Sequence, residues 1–259
     1  MLILRSLAFN VAFYANMILW MVAIAPALLM PRPVLWWLVR HWSRLNVWLL
    51  EHVAGTKVEV RGLDRLPPGG CIVASKHQST FETLCLFDLF HEPAFILKRE
   101  LMWIPLFGWF AARTGMIPVD RNKGREALRD MTRRALVEMQ HGRSILIYPE
   151  GTRRPPGAEP AYKIGVAHLY RETGMSVVPV ALNSGLFWPR RGFRRHPGTL
   201  VVEILPPIGP GLDMAGIMAR LQADIEAASD RLLQEAVARD PSLPLGPDAR
   251  DRLATLRSA

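Results

Sequence analysis

The chain has 259 residues, half of them hydrophobic, and its 32 Lys and Arg residues against 23 Asp and Glu residues give a formal net charge of +9. This apolar content excludes an intrinsically disordered chain, and two cysteines are too few for a disulfide scaffold. The length suits one large domain with an appendage. Positive charge combined with apolarity predicts a membrane surface as partner and not nucleic acid, because no aromatic and basic stacking platform stands out.

The first 53 residues are the most hydrophobic part of the chain. From Ser6 to Met30 there are 25 residues without a charge, more than the roughly 20 needed to cross a bilayer. After Pro31-Arg32-Pro33, the stretch from Val34 to Val53 contains four tryptophans, which is typical of a helix at the level of the lipid headgroups. We therefore predict that residues 1–53 form a membrane-anchoring helical arm. A single span with a juxtamembrane helix and a two-helix hairpin in one leaflet both fit.

Two other interpretations of the arm are weaker. The apolar run is too long for the core of a cleaved signal peptide, and it contains Asn10 and Asn16; a pair of buried core helices is the other alternative. Basic residues follow the run and predict that the rest of the chain lies on the cytoplasmic face of the inner membrane. These residues are Arg32, Arg40, Arg44 and Lys57.

Short apolar strands alternate with helices from residue 54 to residue 239. The predicted strands are Lys57–Val60, Cys71–Ser75, Ala94–Leu97, Met116–Val119, Ser144–Tyr148, Val177–Leu182 and Thr199–Leu205. The predicted helices are Thr80–Phe90, Arg125–Gln140 and Asp213–Ala238. This alternation predicts an α/β domain with a mixed, largely parallel sheet flanked by helices. The Pro-rich residues 240–259 are expected to form a loose tail.

Three motifs lie where predicted strands end, which is where α/β proteins commonly bind ligands. They are Lys76-His77-Gln78-Ser79-Thr80-Phe81-Glu82, Gly115-Met116-Ile117-Pro118-Val119-Asp120-Arg121 and Tyr148-Pro149-Glu150-Gly151-Thr152-Arg153. Each also has a purely structural interpretation. Ser79-x-x-Glu82 is a capping box in which Glu82 accepts the backbone N–H of Ser79. Asp120 and Arg121 could form a surface ion pair, and Glu150-Gly151 could be a simple turn.

Taken together, the motifs indicate proton transfer beside a phosphate site. A histidine with a carboxylate five residues later can act as a general base whose tautomer the acid fixes, with the nucleophile supplied by the substrate. Arg121, Arg153 and Lys98 suit a phosphate, and backbone N–H groups around Gly151 add donors. With the membrane arm, this combination points to a hydroxyl on a phosphorylated lipid. The histidines lack the paired spacing of metal ligands, so no metal is implied, and Cys71 and Cys85 are expected in the core.

The ordered motifs, with Val178-Pro179-Val180-Ala181 as a fourth, resemble the glycerolipid acyltransferases, the 1-acyl-sn-glycerol-3-phosphate acyltransferase family. The resemblance runs from about Val58 to Leu205. It implies transfer of an acyl chain from acyl carrier protein or coenzyme A to the sn-2 hydroxyl of lysophosphatidate, without a cofactor other than that thioester. His77 would be the general base and Glu82 its orienting acid. The residues implied in binding the substrate phosphate are Arg121, Glu150, Gly151, Thr152, Arg153 and Lys98.

The family usually has aspartate where this chain has Glu82, so the carboxylate lies one methylene further from the backbone. Relatives with glutamate include enzymes that act on lyso-lipids without a phosphate, and an acceptor such as lyso-ornithine lipid is therefore an alternative. A non-catalytic protein that binds anionic lipid is a more remote one. A protein that only binds lipid has no need of an acid beside its histidine.

Two aromatic segments outside these motifs also bear on the membrane. Residues Leu101 to Phe110 are too apolar for an exposed helix, so they form either a core helix or a surface that lines the acyl chain or enters lipid. The segment Phe187 to Arg195 mixes aromatic residues with four arginines. It suits anionic headgroups or an acidic carrier protein, and a solvated loop is the alternative.

Overall fold

A computed structural model describes residues 1–258 and contains all seven predicted strands, with ends that differ by no more than one residue from the predictions. The strands are β1 (Thr56–Arg61), β2 (Ile72–Ser75), β3 (Ala94–Lys98), β4 (Ile117–Val119), β5 (Ile145–Ile147), β6 (Val177–Leu182) and β7 (Gly198–Ile204). The helices are α1 (Leu2–Ala23), α2 (Arg32–Leu49), α3 (Glu82–Leu89), α4 (Phe107–Arg113), α5 (Gly124–Gln140), α6 (Gly165–Thr173), α7 (Ser184–Phe187), α8 (Met214–Arg239) and α9 (Pro247–Ser258). The predicted helices correspond to α3, α5 and α8.

The strands form one sheet in the order β1-β7-β6-β2-β5-β3-β4. The strands from β6 to β4 are parallel to their neighbours, whereas β7 is antiparallel to β6 and parallel to β1. The sheet is therefore mixed and largely parallel, as predicted. Because the carboxyl ends of the parallel strands meet at one edge, the three motifs all follow strands that end there.

Helices cover both faces of the sheet, which explains why β2, β5 and β6 are continuous apolar runs buried along their whole length. One face packs against α1, α3 and α9, where Phe9, Phe81 and Leu86 are fully buried. The other face packs against α5, α6 and α8, around Ile145 and Leu221. The edge of the sheet at which the three motifs lie is thus flanked by a layer of helices on each face.

The first half of α1 lies against the α/β domain. Phe9 and Phe13 are buried, and the centroid of each ring is 5.1 Å from that of Trp188, in edge-on contact. Ser6 Oγ accepts the backbone N–H of Arg195 at 2.9 Å. Among residues 1–258, α1 is the one helix long and apolar enough to cross a membrane, and most of its outward face is exposed. The helix is thus apolar on two sides, one covered by protein and one uncovered.

The C-terminal tail differs from the prediction. Residues 247–258 form α9, which packs on α8 through the buried Ala249 and Leu253, and Arg252 Nε donates to Asp230 Oδ1 at 2.9 Å. The two apolar residues are four apart and so share one helix face. Pro247 occupies the first helical position, where proline starts a helix without losing a hydrogen bond. The prolines therefore mark the start of an ordered helix.

The apolar segment from Leu101 to Phe110 is mostly not core. Phe110 is buried with Ile24 and Leu35 of the arm, but the side chains of Trp103 and Trp109 are 70% and 62% exposed. A core helix is therefore the wrong interpretation for most of this segment. The two tryptophans extend the exposed apolar surface of the arm.

Candidate active site

His77 follows β2 and faces Glu82 in the first turn of α3. Its Nδ1 lies 2.9 Å from Glu82 Oε1, so the carboxylate holds the tautomer in which Nδ1 carries the proton and Nε2 has a free lone pair. The His77 side chain is 13% exposed and that of Glu82 is fully buried. This is the arrangement expected of a general base whose partner is shielded from water.

The Glu82 carboxylate also organises the loop that carries the histidine. Oε1 accepts the backbone N–H groups of Gln78 and Ser79, each at 2.6 Å, and Oε2 accepts the hydroxyl of Ser184 at 2.8 Å. The capping contact to Ser79 is therefore present, and the same carboxylate serves His77. The longer glutamate side chain fits here because it reaches the histidine and the loop backbone from the same oxygen.

Tyr148, directly after β5, stacks on the imidazole of His77 with ring centroids 3.9 Å apart and planes inclined by 16°. Its hydroxyl oxygen is buried without a hydrogen-bond partner in the described structure. Burial, followed by the negative charge of Glu82, raises the Tyr148 pKa well above its usual range. Tyr148 therefore supplies a neutral wall that fixes the plane of the histidine ring.

Behind the His77 loop lies a buried charge cluster of Lys76, Glu150 and Glu226. The Lys76 side chain is 2% exposed, and its Nζ lies 3.0 Å from Glu150 Oε1 and 2.6 Å from Glu226 Oε1. Tyr162 donates its hydroxyl to the same Glu226 oxygen at 2.8 Å. Because Lys76 precedes His77 and Glu226 lies on α8, this ion cluster fastens the catalytic loop to the opposite face of the sheet.

Glu150 is placed differently from the phosphate-binding residues with which the resemblance groups it. Its side chain is fully buried, and Oε2 accepts the backbone N–H of His77 at 3.1 Å. Burial raises the pKa of Glu150, although the charge of Lys76 opposes this shift. A carboxylate bonded inward in this way repels a phosphate and does not bind one. Glu150 instead positions the backbone of His77.

Arg121 has a free guanidinium at the same sheet edge. The surface ion pair with Asp120, the alternative interpretation of this motif, is absent, and Asp120 Oδ2 instead accepts Arg99 Nη1 at 3.0 Å. No carboxylate within residues 1–258 is at salt-bridge distance from Arg121. Lys98, which pairs in register with Val119, is exposed and lies 3.1 Å from Glu100. Arg121 is thus an exposed cation available to an anionic ligand.

The loop after Glu150 is held beside His77. The Arg154 N–H donates to the His77 carbonyl at 2.8 Å, and Arg153 Nη1 donates to Thr80 Oγ1 at 2.8 Å. Gly151 has a positive φ of 66°, which favours glycine at this turn, and a Cβ there would lie 3.9 Å from Arg121 Nη1. Thr152 is exposed. Arg153 therefore lies at the start of α3, and Gly151 lies near Arg121.

The two cysteines are buried and unpaired, as expected. Burial raises the pKa of Cys71, and it raises that of Cys85 to about 12, so neither is a thiolate nucleophile at neutral pH. In the described part of the chain, no three His, Cys, Asp or Glu side chains are placed to hold a metal ion. The reactive groups at this edge are therefore those of His77 and Glu82.

Four residues of this site are missing from the sequence prediction: Tyr148 as a stacking partner, Ser184 as a donor to Glu82, and the Lys76 and Glu226 pair. Tyr148 and Lys76 are the first residues of two of the predicted motifs, so their position at a strand end was a usable signal, although no role was assigned to them. Ser184 and Glu226 are 102 and 150 residues away from their partners. No local pattern connects residues that far apart.

His77 and Glu82 form a histidine and carboxylate dyad at the carboxyl edge of a largely parallel sheet, and the unpaired Arg121 lies at the same edge. This arrangement defines the class of acyltransferases that use a hydroxyl of the substrate as nucleophile. The acyltransferase family model matches residues 57–183. A 1-acyl-sn-glycerol-3-phosphate acyltransferase of Pseudomonas aeruginosa is 36% identical over 200 residues, which are 77% of this chain and 76% of that one. The human 1-acyl-sn-glycerol-3-phosphate acyltransferase alpha is 30% identical over 64% of this chain and 59% of its own length.

The crystal structure of the 1-acyl-sn-glycerophosphate acyltransferase of Thermotoga maritima has the same fold, with a TM-score of 0.75 at 21% identity. The match covers 90% of this chain and 98% of that one. The chain belongs to the 1-acyl-sn-glycerol-3-phosphate acyltransferase family. The α/β fold, the resemblance and the assignment as an acyltransferase are thereby confirmed.

Proposed function

We propose that this protein transfers an acyl chain from acyl-CoA or acyl carrier protein to the sn-2 hydroxyl of 1-acylglycerol 3-phosphate, which yields phosphatidic acid. The observation that carries the proposal is the 2.9 Å contact between His77 Nδ1 and the buried Glu82, and the unpaired Arg121 at the carboxyl ends of the same sheet supports it. The names of the relatives agree with this substrate. No cofactor other than the thioester is required.

In the proposed reaction, Nε2 of His77 takes the proton of the acceptor hydroxyl as its oxygen attacks the thioester carbonyl carbon. The carbon–oxygen bond forms, the carbon–sulfur bond breaks, and the leaving thiolate takes the proton from His77. Glu82 stabilises the positive charge that develops on the imidazole. Tyr148 holds the ring plane, and Lys76 with Glu150 holds the loop backbone.

Arg121, Gly151, Thr152, Arg153 and Lys98 are proposed to bind the phosphate of the acceptor. Arg121 supports this role because it is exposed and has no carboxylate partner among residues 1–258. A phosphate also competes with the weak surface pair between Lys98 and Glu100. Lyso-ornithine lipid has no phosphate, so these cations also separate the two acceptors experimentally.

We place the protein at the inner membrane, with its α/β domain on the cytoplasmic face. The uncovered face of α1 and the exposed Trp103 and Trp109 support attachment. Because Phe9 and Phe13 contact the domain, the arm is proposed to lie in one leaflet and not to cross both. Protection of the N-terminus from externally added protease in intact cells, without a periplasmic fragment, is the expected result.

An acyltransferase assay on the purified full-length protein tests the function. Each donor, acyl-CoA and acyl carrier protein, is combined with lysophosphatidate or lyso-ornithine lipid, and lysophosphatidate is expected to be the better acceptor. His77→Ala should lower kcat by about 100-fold or more, because general-base catalysis typically contributes about 10²–10⁴. His141→Ala, at an exposed histidine, is the control. Activity of His77→Ala within a few-fold of the wild type would contradict the proposal.

The acceptor is tested separately. Arg121→Ala should raise the KM for lysophosphatidate by about tenfold, as loss of a charge-assisted hydrogen bond predicts, and leave kcat nearly unchanged. Arg129→Ala, an exposed arginine on α5, is the matched control. An unchanged KM in Arg121→Ala, or faster acylation of lyso-ornithine lipid by the wild type, would overturn the phosphate assignment.

A further inference from the structure

A second set of arginines surrounds a cavity of about 530 Å³ between α1 and the loop after α7. Arg153, Arg190, Arg191 and Arg195 line it, together with Asn10 of the arm. It lies on the β6 side of His77, whereas Arg121 follows β4 at the far edge of the sheet. Arg190, Arg191 and Arg195 come after β6, and three strands (β2, β5 and β3) lie between β6 and β4. Arg153, which follows β5, lines the cavity and belongs to both groups.

Arg195 is a buried cation without an anion. Its residue is 4% exposed, its Nε has no hydrogen-bond partner, and its Nη1 donates to two backbone carbonyls. The guanidinium lies 5.0 Å from the ring centroid of Trp188 and 5.9 Å from that of Phe9. No carboxylate of residues 1–258 is at salt-bridge distance from any arginine of the cavity. Burial of an unpaired charge is costly, so the cavity favours an anion.

The cavity also contains an unused hydrogen-bond acceptor. Asn10 Nδ2 donates to the Phe193 carbonyl at 2.9 Å, and its Oδ1 is buried without a partner. A ligand that satisfies both groups has a negative charge for Arg195 and an N–H or O–H for Asn10.

One end of the cavity is lined by Thr80 and Arg153, next to the loop that carries His77. Arg153 contacts Thr80 at the start of α3, and the neighbouring Arg154 donates to the His77 carbonyl. The other end lies under α1, at Arg195 and Asn10. A ligand with its reactive end at His77 and its charge at Arg195 must therefore have a long arm between them. The acceptor phosphate is only two carbons from the reacting hydroxyl oxygen, which is too close for this role.

We propose that this cavity binds the phosphopantetheine arm of the thioester donor, with the phosphate at Arg190, Arg191 and Arg195. This arm is common to coenzyme A and acyl carrier protein, and it carries amide N–H and hydroxyl groups that suit Asn10 Oδ1. The inference rests on the proposed function, since it assigns the donor of that reaction. It also means that the N-terminal helical arm, through Asn10, takes part in donor binding in addition to membrane attachment.

The test uses full-length protein in neutral detergent micelles and three donors: acyl-CoA, acyl carrier protein and the phosphate-free acyl N-acetylcysteamine. Arg190→Ala/Arg191→Ala should raise the KM for the first two by about tenfold or more. The KM values for the phosphate-free donor and for lysophosphatidate should stay within about twofold. Both side chains are exposed, so folding should be retained, and Arg191→Ala alone is a milder second variant. Arg194→Ala, exposed in the same loop but outside the cavity lining, is the matched control.

Three results would overturn this inference. If the KM for the phosphate-free donor rises equally, the cavity does not bind the donor phosphate. If only the KM for lysophosphatidate rises, the cavity binds the acceptor. Weaker binding to phosphatidylglycerol vesicles with unchanged donor KM values assigns it to a lipid headgroup. Calorimetric binding of free coenzyme A, expected to weaken about tenfold in the double variant, remains decisive if the wild type does not acylate lysophosphatidate. A wild type that does not acylate lysophosphatidate would refute the proposed function but not the binding of coenzyme A in the cavity.

Discussion

Glu82→Gln separates the charge of the orienting acid from its hydrogen bonds. A glutamine oxygen can still accept from His77, Gln78 and Ser79, and its amide nitrogen can donate to Ser184 in place of the oxygen that accepts there now. What is lost is the negative charge that stabilises the imidazolium. A hydrogen bond to a charged group contributes about 1.5–3 kcal/mol, against about 0.5–1.5 kcal/mol for a neutral one. The difference is about 1–1.5 kcal/mol, so we expect kcat to fall by about 5- to 15-fold.

The stability of the same variant should change little. Glu82 is fully buried, and its one ionisable partner among residues 1–258 is His77, so no lysine or arginine is left unpaired. The free energy of unfolding, from urea denaturation, should stay within about 1 kcal/mol of the wild type. Glu172→Gln, the same change at an exposed ion pair, is the control. An unchanged kcat, or a loss of activity that merely follows unfolding, would refute the reasoning.

Three further expectations concern the rest of the molecule. Lys76→Met should lower the free energy of unfolding by about 3–5 kcal/mol in urea denaturation, because it leaves two carboxylates facing each other without their cation. Glu150→Gln should flatten the pH dependence of stability at weakly acidic pH. Burial raises the pKa of Glu150 in the folded protein above its usual value of 4.5. The protonated carboxyl therefore contributes stability that is complete below pH 4.5 and is lost as the pH rises through the pKa of the folded protein. Trp103→Ser/Trp109→Ser should weaken binding to phosphatidylglycerol vesicles by about tenfold or more in a flotation assay, because two exposed aromatic side chains no longer enter the lipid.

Each of these has a control of the same chemical kind. Lys123→Met breaks an exposed pair with Glu126 and should cost less than about 1 kcal/mol. Glu126→Gln should leave the pH dependence of stability as in the wild type. Val137→Ser, at an exposed apolar residue of α5, should leave vesicle binding unchanged. If a control behaves like its test variant, the corresponding argument fails.

The strands and the His77 and Glu82 contact were predictable because both depend on residues close together in the chain. Buried parallel strands are short apolar runs, and the dyad spans five residues with a helix start between them. The ion cluster behind the loop was not predictable, since Lys76 and Glu226 meet only when α8 folds over the sheet. Asp120 shows the same limit, because it pairs with Arg99, which follows β3, and forms no salt bridge with its sequence neighbour Arg121.

Composition was also an incomplete guide to exposure. The Pro-rich tail is ordered as α9 because two apolar residues four positions apart find a partner in α8. Trp103 and Trp109 are exposed, whereas Phe110 packs against Ile24 and Leu35 of the arm. In both segments, exposure depends on whether another element of the fold packs against the apolar residues, and the hydropathy of the segment itself does not reveal this.

The ion cluster has a consequence for how the protein is made. The arm is synthesised before the α/β domain. Lys76 follows soon afterwards, but Glu226 is 150 residues further on. Until α8 has been synthesised and has folded over the sheet, Lys76 lacks one of its two carboxylates and the catalytic loop lacks its link to that helix. The link between the catalytic loop and α8 is therefore among the last contacts of the active site to form.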